Sequence, residues 1–113
     1  MHGTFSGSDE LAGSMVERVA IERFVAARDA AGAEVGEWRG EGAAWAAIVP
    51  DGAGLAEGQA RRSRRRWRVT IRAAVAVGLT SRLVWRGLWL AVLAVETDPR
   101  RADRVVLRCE ARV

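Results

Sequence analysis

The sequence contains no lysine, asparagine or tyrosine, and only one cysteine, one histidine and two prolines. The shortages of cysteine and histidine each remove a class of function. A lone cysteine, Cys109, permits neither an intrachain disulfide nor a thiolate metal site. A lone histidine, His2, excludes by counting a multi-histidine zinc centre, and its place in a Gly/Ser-rich terminus argues against a histidine-based triad. No pair of carboxylates stands at a motif-like spacing, so the chain reads as a non-enzyme that needs no cofactor and no metal. The apolar stretch Leu88–Val95 is far too short to span a bilayer, which leaves no membrane role to expect. The N-terminus lacks the basic and apolar regions of a signal peptide, which argues against secretion.

What is abundant is arginine. All 18 basic residues are arginines, set against 14 acidic ones for a formal charge of +4. The missing residue types share AT-rich codons, so part of this abundance reflects a GC-rich gene. The positive field is real all the same, and is available to nucleic acid or to an acidic protein surface. At 113 residues the chain has room for one domain. A domain of this size buries only about two thirds of its unfolded surface, which makes self-assembly an attractive source of further burial.

Residues 1–12 read as a flexible leader and 13–113 as the folded domain. Between Leu11 and Ala31 two periodicities compete. Leu11, Met15, Val16 and Val19 recur at helical spacing, whereas Val19, Ile21, Arg23 and Val25 alternate as a strand would; propensity leans towards helix. Asp29–Gly32 is a turn signal, and Gly36, Gly40 and Gly42 predict a loop-like or hairpin-like stretch. A strand is expected over Ala43–Val49, stopped by Pro50, which cannot donate a ladder hydrogen bond. The glycine-containing segment Asp51–Arg62 reads as one long mobile loop, of a length that is usually functional or disordered. Trp67, Val69 and Ile71 alternate with Arg66, Arg68, Thr70 and Arg72, the pattern of a strand with one buried face. Further strands are expected at Arg82–Trp85, Leu88–Val95 and Arg104–Val113, with a turn at Arg86-Gly87 and a break at Thr97-Asp98-Pro99. Cys109 falls on the alternating last strand, where a packing role is expected. The fold class is therefore all-β: a small barrel or sandwich of about six antiparallel strands with one long loop. Trp67 is assigned to the core, and so is each of Trp38, Trp45, Trp85 and Trp89, with one or two tryptophans left over for subunit interfaces.

The order of these elements resembles the head–tail joining (head-closure, or stopper) proteins of long-tailed phages. Gly13-Ser14-Met15-Val16-Glu17-Arg18-Val19 matches that family's lead into its first strand. Asp29, Gly32 and Trp38 match its turn and tryptophan, and Trp45-Ala46-Ala47-Ile48-Val49-Pro50 its next strand. Leu55–Ala60, Trp67–Arg72 and the hairpin Ser81–Gly87 with Leu88–Val95 follow in order. The resemblance runs from Gly13 to Arg112 and implies that Arg18–Val25 is a strand, against the local lean towards helix.

It further implies a virion neck protein, from a phage, a prophage or a gene transfer agent, assembled in the bacterial cytoplasm. Its partners would be copies of itself in a six- or twelve-fold ring, the portal/adaptor complex above, the tail terminator or tail tube below, and packaged DNA in the channel. Within this frame, Asp51, Gly52, Gly54, Glu57, Gly58 and Gln59 are candidates for a channel-gating loop. Arg61, Arg62, Arg64, Arg65 and Arg66 are candidates for contact with DNA phosphates or with an acidic rim on a neighbouring ring; a solvated, codon-biased stretch explains the cluster equally simply. The rival reading is a free-standing nucleic-acid-binding barrel of OB-like or SH3-like type that uses this arginine patch beside Trp67.

Overall fold

Alternation of buried and exposed side chains marks the strands of the barrel wall in the computed structural model, which describes residues 14–52 and 65–112. Six antiparallel strands close into one barrel: β1 (Glu17–Arg28), β2 (Glu34–Pro50), β3 (Arg66–Arg72), β4 (Ser81–Trp85), β5 (Leu88–Thr97) and β6 (Arg104–Arg112). Their order around the wall is β1-β2-β3-β6-β5-β4, with β4 returning to pair with β1. A short 3₁₀ turn, η1 (Pro99–Arg101), links β5 to β6 and is capped by Asp98, which accepts from the Arg100 N–H.

The interior is filled from every strand: Val19 and Ile21, Ala44 and Ala46, Val69 and Ile71, Leu83 and Trp85, Leu90 and Val92, Leu107 and Cys109. Cys109 packs here as expected, and burial pushes its thiol up to about 12. Closure matters because a small sheet with free edges would invite edge-to-edge pairing, and a barrel removes those edges.

Two local expectations are corrected. The helical lean at Leu11–Ala31 gives way to strand β1. Ala20–Arg23 hydrogen-bond to β4 while the whole of β1 pairs with β2, and sheet neighbours on both sides outweigh alanine propensity. The glycine-rich stretch around Gly36–Gly42 is continuous strand, so β2 begins at Glu34, well ahead of Ala43. Gly36 and Gly40 pair in register with Ala26 and Glu22. Gly42, at φ 114°, sits at a bulge where Ile21 pairs with Gly42 and Glu22 with Gly40. Such a bulge bends the strand. It lies just before β1 parts from β4 after Arg23, beyond which the β1–β2 ribbon continues as a two-stranded arm.

The β4–β5 hairpin turns through Arg86 (φ 49°) and Gly87 (φ 79°), both left-handed, as a two-residue turn with primed geometry requires. Arginine is an unusual choice there. Its guanidinium is held by Glu17, whose two carboxylate oxygens each accept from Arg86 at 3.1 Å. The Trp85 indole N–H donates to the same carboxylate at 2.8 Å. That hydrogen bond is the main reason the Glu17 carboxyl lies below its ordinary value; desolvation opposes the shift and Arg86 adds to it. Stability from this clasp is therefore present above the ordinary carboxylate range and is lost as pH falls through the lowered value.

Candidate functional site

The most organised polar site among the described residues lies at the two feet of the segment that joins β2 to β3. Pro50 and Trp67 are register partners, so the chain leaves the wall and re-enters it at adjacent positions. At the first foot the Asp51 N–H donates to the Arg66 carbonyl at 3.0 Å. The Asp51 carboxylate accepts from Arg108 Nε at 2.6 Å and Nη2 at 3.2 Å, a two-pronged grip. Arg68 lies 3.6 Å from the same carboxylate, and Arg108 also reaches Glu96 at 3.4 Å. At the second foot the Arg65 carbonyl accepts from the Ala111 N–H at 2.6 Å, and Arg66 donates to Glu110 at 2.8 Å.

The cause is register. Arg68 and Arg108 stand directly opposite each other on β3 and β6, both pointing outward. Like charges in that position repel, and Asp51 supplies the anion between them. Its grip also holds Arg108 more firmly in the charged form, the hydrogen bond being the largest cause. Asp51→Ala is therefore expected to cost about 1–2 kcal/mol, a range already reduced for the partial exposure of both arginines. Urea denaturation checks this, with Asp51→Asn falling between wild type and alanine.

Of the candidate gating residues, Asp51 and Gly52 are thus at the clamped foot, while Gly54, Glu57, Gly58 and Gln59 lie outside the described residues. Of the candidate arginines, Arg65 contributes a backbone carbonyl and Arg66 a side-chain ion pair; Arg61, Arg62 and Arg64 lie outside the described residues. The clamp partners Arg68, Glu96 and Arg108 were not legible beforehand. They are far apart in sequence, and only their shared outward parity on neighbouring strands hints at contact.

A second surface is aromatic. Trp85 is buried and meets Trp67 edge to face, with ring centres 4.9 Å apart. Trp38, Trp45 and Trp89, expected in the core, are exposed. Strand parity explains the correction for two of them: Trp45 sits between inward Ala44 and Ala46, and Trp89 precedes inward Leu90, so both must face out. Arginines cover the indoles instead. Arg18 lies 5.0 Å from the Trp45 ring centre, and Arg82 is sandwiched between Trp38 (4.3 Å) and Trp89 (4.1 Å). Glu22 fixes Arg82 in that slot through a 2.6 Å hydrogen bond.

Phe24 extends this surface onto the arm, edge to face with Trp38 at 5.4 Å, and its ring lies flat over Gly36. A Cβ at position 36 would collide with the ring, whereas one at Gly40 meets nothing. Gly36→Val is expected to displace Phe24 and forfeit the aromatic contact, about 0.5–1.5 kcal/mol. Thermal melting and near-ultraviolet circular dichroism check this, with Gly40→Ala near neutral.

Among the described residues no group of three or more histidine, cysteine or carboxylate side chains could hold a metal. No curated protein matches the sequence. Solved structures share the fold, among them the following two. A protein of Shigella flexneri 2a, known in solution, aligns with a TM-score of 0.68 at 20% identity, covering 88% of this chain and 94% of its own. A chain from the virion of a native gene transfer agent particle aligns with a TM-score of 0.60 at 20% identity, covering 85% of this chain and 94% of its own. The sequence profile of the phage head completion proteins matches residues 11–112, and with the whole barrel inside that match the chain belongs to the phage head completion protein family.

Proposed function

We propose that this chain, a structural protein of the phage head–tail region, forms a ring between the portal/adaptor complex and the tail and closes the DNA channel after packaging. The observation that carries the reading is the family match over residues 11–112. The likeness to a chain of a gene transfer agent virion supports it at the level of fold. Within this reading the segment Asp51–Arg62 is the closing element, and its two clamped feet give it a fixed base on β3 and β6. A gate needs an element with two accessible arrangements, and glycines at 52, 54 and 58 supply the backbone freedom for them. Arg61, Arg62 and Arg64 would then meet DNA phosphates or the rim of the neighbouring ring.

Quantitative mass spectrometry on purified particles, counting this chain against the portal subunit, tests the reading. A low, ring-like copy number in DNA-filled, tailed particles is the expected result. Absence from particles would overturn it and bring forward the free-standing nucleic-acid-binding barrel, which predicts steeply salt-dependent DNA binding by the isolated chain.

A further inference from the structure

The β1–β2 arm has no third strand among the described residues. β4 pairs with β1 only over Ala20–Arg23, and β3 pairs with β2 only over Ala47–Pro50. Phe24 still donates its N–H to the Thr80 carbonyl at 3.1 Å, and beyond it Val25–Arg28 and Glu34–Glu37 pair with each other alone among the described residues. A two-stranded ribbon is marginal in water without a surface to pack on, and this one leaves Phe24, Val35 and Trp38 exposed. Its charge is also opposite to that of the rest of the protein. Residues 24–38 hold three carboxylates and one arginine, a net −2 in a chain of +4, so the remainder carries +6. Glu34, near the tip, has no ion-pair partner among the described residues.

A groove of matching character runs along the outer face of β3, β6 and β5. Val95 and Val106 lie in it beside Arg68, Arg101 and Arg104, around a volume of about 780 Å³. Its own carboxylates are engaged: Glu96 pairs with Arg108, and Asp98 caps the 3₁₀ turn. Arg100 and Arg101 have no carboxylate partner among the described residues. In the closed order β1-β2-β3-β6-β5-β4, β6 is the strand diametrically across from β1. The arm thus springs from the wall opposite the groove, so the two are different patches of one subunit, as a head-to-tail contact between identical subunits needs.

We propose that the acidic arm of each copy docks in the arginine-lined β3–β6–β5 groove of the next copy around the ring. The inference rests on the ring reading above and specifies which faces meet. Docking supplies the ribbon with the packing surface it lacks and brings unpaired acidic and basic groups together.

The test is a cysteine pair, Val35→Cys on the arm and Thr97→Cys in the groove, in particles from a producing culture whose only copy of the chain is the variant. Cys109 is fully buried and serves as a silent background. After treatment with a short bismaleimide, the pair is expected to give a ladder of covalent multimers on a denaturing gel, and each single variant only monomer. Monomer alone from the pair, at ring-like copy number, overturns the inference and leaves the ring standing. Dimers from Val35→Cys alone overturn it too, because arms would then meet arms. Absence of the wild-type chain from particles removes the ring and this contact together. If the cysteine pair fails to enter particles, charge exchange decides. Glu34→Arg with Glu37→Arg, and separately Arg100→Glu with Arg101→Glu, should each lower incorporation about tenfold through like-charge contact, and their combination should restore it. Failure of the combination to restore incorporation overturns the proposal.

Discussion

Leu107→Ala is expected to lower the unfolding free energy by about 2–5 kcal/mol, the cost of a cavity in a core that cannot fully collapse around it. Leu107 is fully buried on β6, with Val69 of β3 and Val95 of β5 as its register partners. A closed barrel has little freedom to relax, because moving one wall disturbs the hydrogen bonds of both neighbouring strands. Domains of this kind have only about 5–15 kcal/mol to lose. The midpoint of thermal unfolding should therefore fall by roughly 10–25 °C. Leu79→Ala is the control: Leu79 is 67% exposed in the β3–β4 connection, and its loss should stay within about 0.5 kcal/mol. Equal effects at the two positions would mean that the barrel interior is not the principal core.

Deleting residues 52–58 is expected to give particles that assemble, carry the chain at wild-type copy number, and leak DNA. Pro50 and Trp67 are register partners, so a shorter connection still bridges the same two strands. Loop-closure entropy changes slowly with length, which keeps the stability cost small. Asp51 and Arg66 stay in place, so the clamp to Arg108 and Glu110 survives and the barrel should melt close to wild type. DNA retention after purification, read as the ratio of full to empty particles, checks the result. Normal retention would sink the closing role of this segment while leaving the neck location untouched.

Several elements were legible because one rule governed them. In Trp67–Arg72 and Arg104–Arg112, a period of two placed the apolar set on one side with no competing pattern. Arg86-Gly87 and Pro50 marked their turn and strand end by backbone constraint alone. Residues 17–28 were not legible locally, since alanines and a helical spacing at Met15, Val16 and Val19 competed with the alternation. The resemblance to head–tail joining proteins resolved that ambiguity, and the pairing of β1 with both β2 and β4 gives the physical reason. Gly36 misled because glycine in isolation signals a loop; here it is the flat spot on which the Phe24 ring lies.

Composition and alternation by themselves established an all-β domain with no intrachain disulfide, no multi-histidine centre and a positive field, because those conclusions depend only on which residues exist and on local parity. Which tryptophans face water, which arginines are neutralised, and where the long connection is anchored depend on register between strands distant in the chain. Asp51 meets Arg108 across 57 positions, and Glu17 meets Trp85 across 68. Local propensity carries no information about such contacts. They arise only once the barrel closes and brings residues of matching parity side by side.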